Sequence, residues 1–324
     1  MAKRPGLEER LADLNTLRQE GDTALVVREL GKALGQRTAP VVARAAEIAG
    51  ALGLSELAPI MASAFDRCLI DPVKSDKGCL AKTAVARSLH ALEEPAGELF
   101  RKGIRHVQME PSWGPPIDTA AELRGVCAHG LIDAGEPRAV LEVVRLLADA
   151  QWKVRAEAAR ALGGASPLEA EPVLRLKALL GDEEPEVTSE CLGSLLALAP
   201  ETSLELAVDC LDSSSLEVAQ VAALALGESR LEGAVAPLSS AHRHAVDEEL
   251  RKALAMAMAL TRRPEALDYL VEVVAEGGAR RAEEAMRALA LQRHEQAFRE
   301  RLRGVLEDAG SPALWAIWDE EIEG

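Results

Sequence analysis

Aromatic residues are scarce in this chain, with one tyrosine, three phenylalanines and four tryptophans in 324 residues. A β-sandwich fills its core with aromatic and β-branched side chains, so this composition excludes one. Apolar residues still make up 48% of the chain, and any core must be built from leucine, alanine and valine. The five cysteines, Cys68, Cys79, Cys127, Cys191 and Cys210, show no C-x-x-C spacing and are odd in number. That excludes a zinc knuckle and a complete disulfide set. A glycine-rich phosphate loop and a G-x-S-x-G elbow are also missing, and His242 and His244, two apart, face different sides of a helix. No catalytic residues, cofactor or metal are therefore expected. Uncharged apolar stretches reach only about ten residues, short of the roughly 20 that span a bilayer. The basic start at Met1 to Arg4 has no apolar segment behind it, unlike a signal peptide. A soluble cytoplasmic protein is expected.

What is present is a helical stencil, a small residue followed by leucine, that returns roughly every 32 residues. Its best copies are VRAEAARAL at residues 154–162 and VAQVAALAL at residues 218–226. Aligned on its last position, the copies end at Leu52, Leu89, Leu131, Leu162, Leu195, Leu226, Met258 and Leu289. The spacings are 37, 42, 31, 33, 31, 32 and 31. Four and eight residues earlier lie further apolar positions such as Ile48, Val85, Cys127, Ala158, Val154 and Val187. Positions i, i+4 and i+8 form one helical stripe, so Cys127 and Cys191 read as small core residues. The residue before each anchor, as in Ala51, Ser88, Gly130, Ala161 and Ala288, is small enough to let a neighbouring helix approach closely.

A second helix is expected in each unit, over Pro172 to Leu180, Leu204 to Leu211, Ala234 to His244, Ala266 to Val274 and Ala297 to Leu306. Prolines punctuate the turns, where a first-turn proline costs little because its N–H has no helical partner. A period of this length means stacked helix pairs that bury their apolar faces only against neighbours. The fold class is therefore all-α, a single α-solenoid domain over 1–324. Capping helices fill 1–38, with Leu7, Leu11, Leu14 and Leu17 on one face. About eight hairpins fill 39–310, and a capping helix with an acidic tail fills 311–324, where Trp315 and Trp318 close the core.

These anchors, with V-R-x-x-A at Val154 to Ala158 and L-R at Leu250 and Arg251, resemble HEAT-like repeats, of the bacterial short-repeat kind related to bilin-lyase-type proteins. The resemblance covers about residues 39 to 310 and is weakest between 91 and 119. It implies a protein-binding solenoid, in a group whose members range from scaffolds to enzyme partners. Deoxyhypusine hydroxylases of the wider group hold iron through repeated His-Glu pairs. Here only His294 and Glu295 form one, which argues against that activity.

The pattern breaks near 108–118, where residues 105–118 read RHVQMEPSWGPPID. Three prolines, a glycine and Trp113 cannot continue a helix, so a loop should interrupt the stack. Thr119 to Glu122 reads as a capping box opening the next helix. Insertions in repeat proteins fall on one face and often bind. Either Trp113 tucks back to seal the longer junction, or it forms a partner-binding patch with Arg101, Lys102, Arg105 and His106.

The net charge is -16. Residues 163 to 220 hold twelve acids against Arg175 and Lys177, and the last 21 residues hold six acids and no base. Nucleic acid is an unfavourable partner for such a surface. The basic exception, Arg280 to Arg303, alternates with Glu283, Glu284, Glu295 and Glu300 at spacings that allow intrahelical pairing. The expected function is a non-catalytic scaffold or adaptor that binds a partner protein through the solenoid groove and the Trp113 loop. Alternatives are a bilin-lyase-type maturation factor acting on a client and its prosthetic group, and a HEAT-repeat enzyme with its site at the insertion.

Overall fold

The computed structural model describes residues 6–323. Among them the chain forms twenty α-helices and one short β-hairpin, grouped in two compact units, Met1–Ser166 and Pro167–Gly324.

The first unit runs α1 (Leu7–Thr16), α2 (Thr23–Leu34), α3 (Ala39–Ala51), α4 (Ala58–Cys68), the single turn α5 (Pro72–Ser75), α6 (Leu80–Ala91) and α7 (Gly97–Ile104). The hairpin β1 (Met109–Glu110) and β2 (Ile117–Asp118) follows, then α8 (Ala121–Asp133), α9 (Ala139–Val143) continued by a 3-10 turn over Val144–Ala148, and α10 (Trp152–Leu162). Helices α3, α6, α8 and α10 pack side by side in one layer, while α4, α7 and α9 form the second.

The second unit runs α11 (Pro167–Leu180), α12 (Pro185–Leu198), α13 (Pro200–Asp209), α14 (Leu216–Ser229), α15 (Val235–His244), α16 (Glu248–Thr261), α17 (Pro264–Glu276), α18 (Ala279–Leu289), α19 (Gln296–Ala309) and α20 (Pro312–Ile317), closed by a π-type turn over Trp318–Glu323. Helices α12, α14, α16, α18 and α20 pack in sequence, and α15, α17 and α19 line up behind them.

The stencil is the core. Leu89, Leu131, Leu162, Leu195, Leu226, Met258 and Leu289 are all buried. Close approach occurs where the stencil is small. The space for a Cβ on Gly130 is occupied by the Phe100 ring at 2.7 Å, and on Gly227 by the Ala257 carbonyl at 2.4 Å. The first copy departs from the expected register. Leu52 is the C-cap of α3 and is 40% exposed, while Ile48 and Ala49 are fully buried in its place. The register slips by about one turn because α3 ends before Leu52 can turn inward.

Several helices also begin earlier than expected. Helix α11 opens at Pro167 and carries Pro172 inside. That proline leaves the Leu168 carbonyl without its helical donor, but Leu168 is exposed and water can reach it. Helix α13 opens at Pro200, one residue after α12 ends, with the break confined to Ala199 at φ -144°. After α20, Trp318 is buried and meets the half-buried Trp315 edge-on at 6.1 Å.

The expected arginine pairing takes a different form. Rather than pairing within helices, Arg280 reaches Glu248, Arg287 reaches Glu321, Arg301 reaches Asp268, and Arg299 and Arg303 reach Glu323. Neighbouring helices put those carboxylates closer than the next turn of the same helix does. Arg281 instead donates to the backbone carbonyls of His242, Arg243 and Ala245, so most of the basic stretch is engaged within its own unit.

Candidate functional site

The interruption of the stack is a braced β-hairpin rather than an unstructured loop. Met109 pairs with Asp118 and Glu110 with Ile117 across two antiparallel strands. The brace is a set of buried carboxylates at the hairpin base. One Glu110 carboxylate oxygen accepts from the Gly78 N–H at 2.6 Å, Gln108 Nε2 at 2.7 Å and Thr119 Oγ1 at 2.9 Å. Burial pushes the Glu110 pKa up, but these bonds and the Lys77 charge outweigh it, leaving the pKa below the usual carboxylate value. Asp118 accepts from the backbone N–H groups of Gln108 and Ala120 and pairs with Arg124 at 2.7 Å. Its pKa is likewise lowered despite burial, chiefly by Arg124.

The expected capping box at Thr119 and Glu122 does not form. Ala120 is the N-cap of α8 and makes no side-chain cap. The Thr119 hydroxyl donates to Glu110 instead, and Glu122 pairs with Arg87 of α6. Both side chains are thus used between elements rather than within the turn.

The hairpin tip contrasts with its base. Trp113 is 110% exposed relative to an extended reference, so the ring is wholly in solvent and does not seal the junction. The turn that carries it is held by its own polar groups, with Ser112 Oγ donating to the Pro115 carbonyl at 2.7 Å and accepting from the Gly114 N–H at 3.1 Å.

The four basic residues named with Trp113 are engaged along α7 and its end. Arg101 pairs with Glu136 at 2.6 Å and Lys102 with Asp66 at 2.7 Å. Arg105 pairs with Glu142 at 2.5 Å. His106 bonds Gln108 at 3.1 Å, and burial lowers the pKa of its imidazole. Arg101, Lys102 and Arg105 thus tie α7 and its end to α4, to the turn before α9 and to α9, while His106 bonds within the approach to the hairpin, and none of the four has a hydrogen bond to Trp113.

Beside the hairpin base lies a groove of about 690 Å³ on the face of α6, α8 and α10, lined by Asp118 and Thr119 at one side and by Arg87, Glu122, His129, Trp152, Lys153 and Glu157. A second hollow of about 690 Å³ adjoins it, sharing Arg87 and His90. Polar pairs cross this face. Arg87 pairs with Glu122, His90 with Asp133 at 2.6 Å, and His129 with Glu157 at 3.1 Å. The His129 bond, more than any other cause, lowers the Glu157 pKa, and the Lys153 ammonium lies 5.6 Å from the Trp152 ring centre. Sequence reasoning missed this groove. Two of its lining residues, Arg87 and His129, stand two residues before their anchors, but that position also holds Gly50 in the first unit and Arg287 in the second, so the pattern alone does not mark the groove. Among the described residues no group of three or more His, Cys, Asp or Glu could hold a metal ion, and no helix is long and apolar enough to cross a membrane.

Helix pairs repeated at this spacing, packed through a small-residue stencil, define an α-helical repeat protein. The chain carries HEAT repeats, matched at residues 140–225 and 172–259. Among solved structures it is similar to the Escherichia coli protein YibA, at 16% identity over 89% of this chain and 98% of that one, with a TM-score of 0.49. It is also similar to the CpcE and CpcF complex of phycocyanin lyase from a Nostoc species, at 16% identity over 95% and 97% of the two chains, with a TM-score of 0.35. Human deoxyhypusine hydroxylase aligns at 17% identity over 90% and 92%, with a TM-score of 0.30. No curated protein matches the chain.

Proposed function

We propose that this protein is a non-catalytic interaction scaffold that binds a partner protein through the Trp113 hairpin and the adjoining groove of α6, α8 and α10. The observation that carries the reading is the contrast within the hairpin. Its base is fixed by buried, multiply bonded Glu110 and Asp118, while its tip presents an entirely solvated tryptophan. Leaving an indole in water without gain to folding is unfavourable, and tryptophan is the residue most enriched among binding hot spots. A pre-ordered tip also spares the ordering cost of a flexible loop. The groove beside it sets the cations Arg87 and Lys153 among the carboxylates Glu122 and Glu157. That suits a polypeptide carrying both signs better than a phosphate backbone. Arg101, Lys102, Arg105 and His106 act in this reading by holding α7 and the hairpin base in place, with Trp113 making the contact.

The test is affinity capture from the native lysate with the wild type, Trp113→Ala and the groove variant Lys153→Glu, followed by affinity measurement on the captured partner. Trp113→Ala should weaken binding by about 2 kcal/mol or more, roughly thirtyfold, and leave the melting temperature unchanged because the ring buries nothing. A partner set held at full affinity by both variants would falsify the proposal.

A further inference from the structure

The second unit carries an exposed apolar face that its own fold does not use. On α11, Leu168, Leu176, Leu179 and Leu180 are 87%, 56%, 66% and 74% exposed. Their spacing, with exposed Pro172 between them, places them along one side of the helix, opposite the buried Ala170, Leu174 and Ala178. Four leucines on one solvent-facing stripe form a continuous patch, unlike scattered surface leucines.

The neighbouring helix supplies the second observation. Helix α13 is tied to α11 by Arg175 Nη2 donating to the Thr202 carbonyl at 2.7 Å and by Thr202 Oγ1 donating to Glu171 at 2.7 Å. Around Thr202, α13 turns Glu201, Glu205 and Asp209 outward at i, i+4 and i+8, opposite its buried Ser203 and Ala207. Among the described residues none of these three carboxylates has a cation partner, whereas Arg280, Arg287, Arg299, Arg301 and Arg303 of α18 and α19 are matched to acids of their own unit. An apolar crest on one helix thus lies beside a row of uncompensated negative charge on the next.

We infer that the outward faces of α11 and α13 form a second docking surface, one that takes an amphipathic helix whose apolar stripe is bordered by lysine or arginine. The leucine crest receives the apolar stripe, and the carboxylate row pairs with the basic border and fixes which way round the helix lies. A second copy of this chain fits less well, because residues 163 to 220 hold twelve acids and two bases and two such faces repel.

The test uses the full chain and two fluorescent helical peptides of about 18 residues, long enough to span the crest, with identical leucine faces and either lysine or glutamate borders. Fluorescence anisotropy should show the lysine peptide binding at least about tenfold tighter than the glutamate peptide. Leu176→Gln with Leu180→Gln should weaken it about tenfold. Glu201→Lys with Glu205→Lys and Asp209→Lys should reverse the preference. All these positions are exposed, so thermal melts should match wild type. The inference fails if neither peptide binds, or if the lysine peptide binds every variant alike, which is attraction to net charge alone. It also fails if sedimentation shows a dimer that Leu176→Gln dissolves, which makes a second copy the occupant. The Trp113 variant should leave this binding unchanged, so loss of either surface can be told from loss of the other.

Discussion

At the scale of single residues, the repeat is held by polar side chains as much as by its leucines. Thirteen residues before successive anchors stand Asp76, Asp118, Asp149 and Asp182, and seven before stand Lys82, Arg124, Arg155 and Arg251. The basic members are buried and reach loop carbonyls: Lys82 that of Cys68, Arg124 that of His106, Arg155 that of Asp149 and Arg251 that of Val246. Arg124 also grips Asp149, at 2.9 and 3.0 Å, which links consecutive copies. The Lys82 and Asp76 pair is fully buried at 2.9 Å, and the Asp76 carbonyl in turn accepts from Gln108 at the hairpin base. Lys82→Met leaves that carboxylate uncompensated and should cost about 3 to 5 kcal/mol in urea unfolding, an effect absent if the pair were solvated. His242 gives a second residue-scale expectation. Burial foremost, then the Arg281 charge, lowers its pKa to about 4, and only its Nδ1 has a partner, the Tyr269 hydroxyl at 2.9 Å. The native state therefore binds fewer protons than the unfolded chain between the ordinary histidine value and about 4, and stability falls as pH drops through that window. Unfolding free energy at about pH 5 should be roughly 2 kcal/mol below that at about pH 7. His242→Gln should remove most of this slope.

At the scale of elements, packing distance is set by what the stencil leaves out. The α14 and α16 contact is the clearest case, because a Cβ on Gly227 would sit 2.4 Å from the Ala257 carbonyl and 2.7 Å from its Cα. Backbone cannot yield as a flexible side chain can, so Gly227→Ala should destabilise the second unit by about 1 to 3 kcal/mol despite alanine's better helix propensity. A rise in stability on calorimetry would show that the two helices are free to separate. The close approach at Gly130 was legible as a small residue before its anchor, whereas Gly227 follows its anchor Leu226 and only the packing of α16 shows its role. The slip at Leu52 was not legible, because the sequence carries a good leucine there and only the end of α3 decides that it stays out.

At the scale of the whole molecule, charge is the term that acts everywhere at once. The net charge of -16 is concentrated in residues 163 to 220 and at the C-terminal end, while five arginines of α18 and α19, Arg280, Arg287, Arg299, Arg301 and Arg303, are already paired with acids. Added salt should therefore relieve more repulsion than attraction. Raising sodium chloride from about 20 mM to about 500 mM, which shortens the screening length several-fold, should raise the melting temperature by a few degrees. A fall would mean that the paired arginines outweigh the unpaired acids.

The sequence alone determined the all-α repeat class, the buried anchor stripe, the place where the pattern breaks and the sign of the charge. Each of these follows from local periodicity or composition, and a helix's apolar face must be buried against whatever packs beside it. Tertiary structure decided what the break became. The groups that brace the hairpin, the Asp76 carbonyl, the Gly78 N–H and the side chains of Gln108, Glu110, Asp118 and Arg124, come from different stretches of chain, and only folding brings their bonds within reach. Folding likewise decided that Trp113 stands in water, that Arg101, Lys102 and Arg105 spend their charge on neighbouring helices, and that the leucines of α11 lie beside the carboxylates of α13. Whether a side chain is paired, buried or free depends on residues about a full repeat away, and the chain's local pattern does not encode that distance.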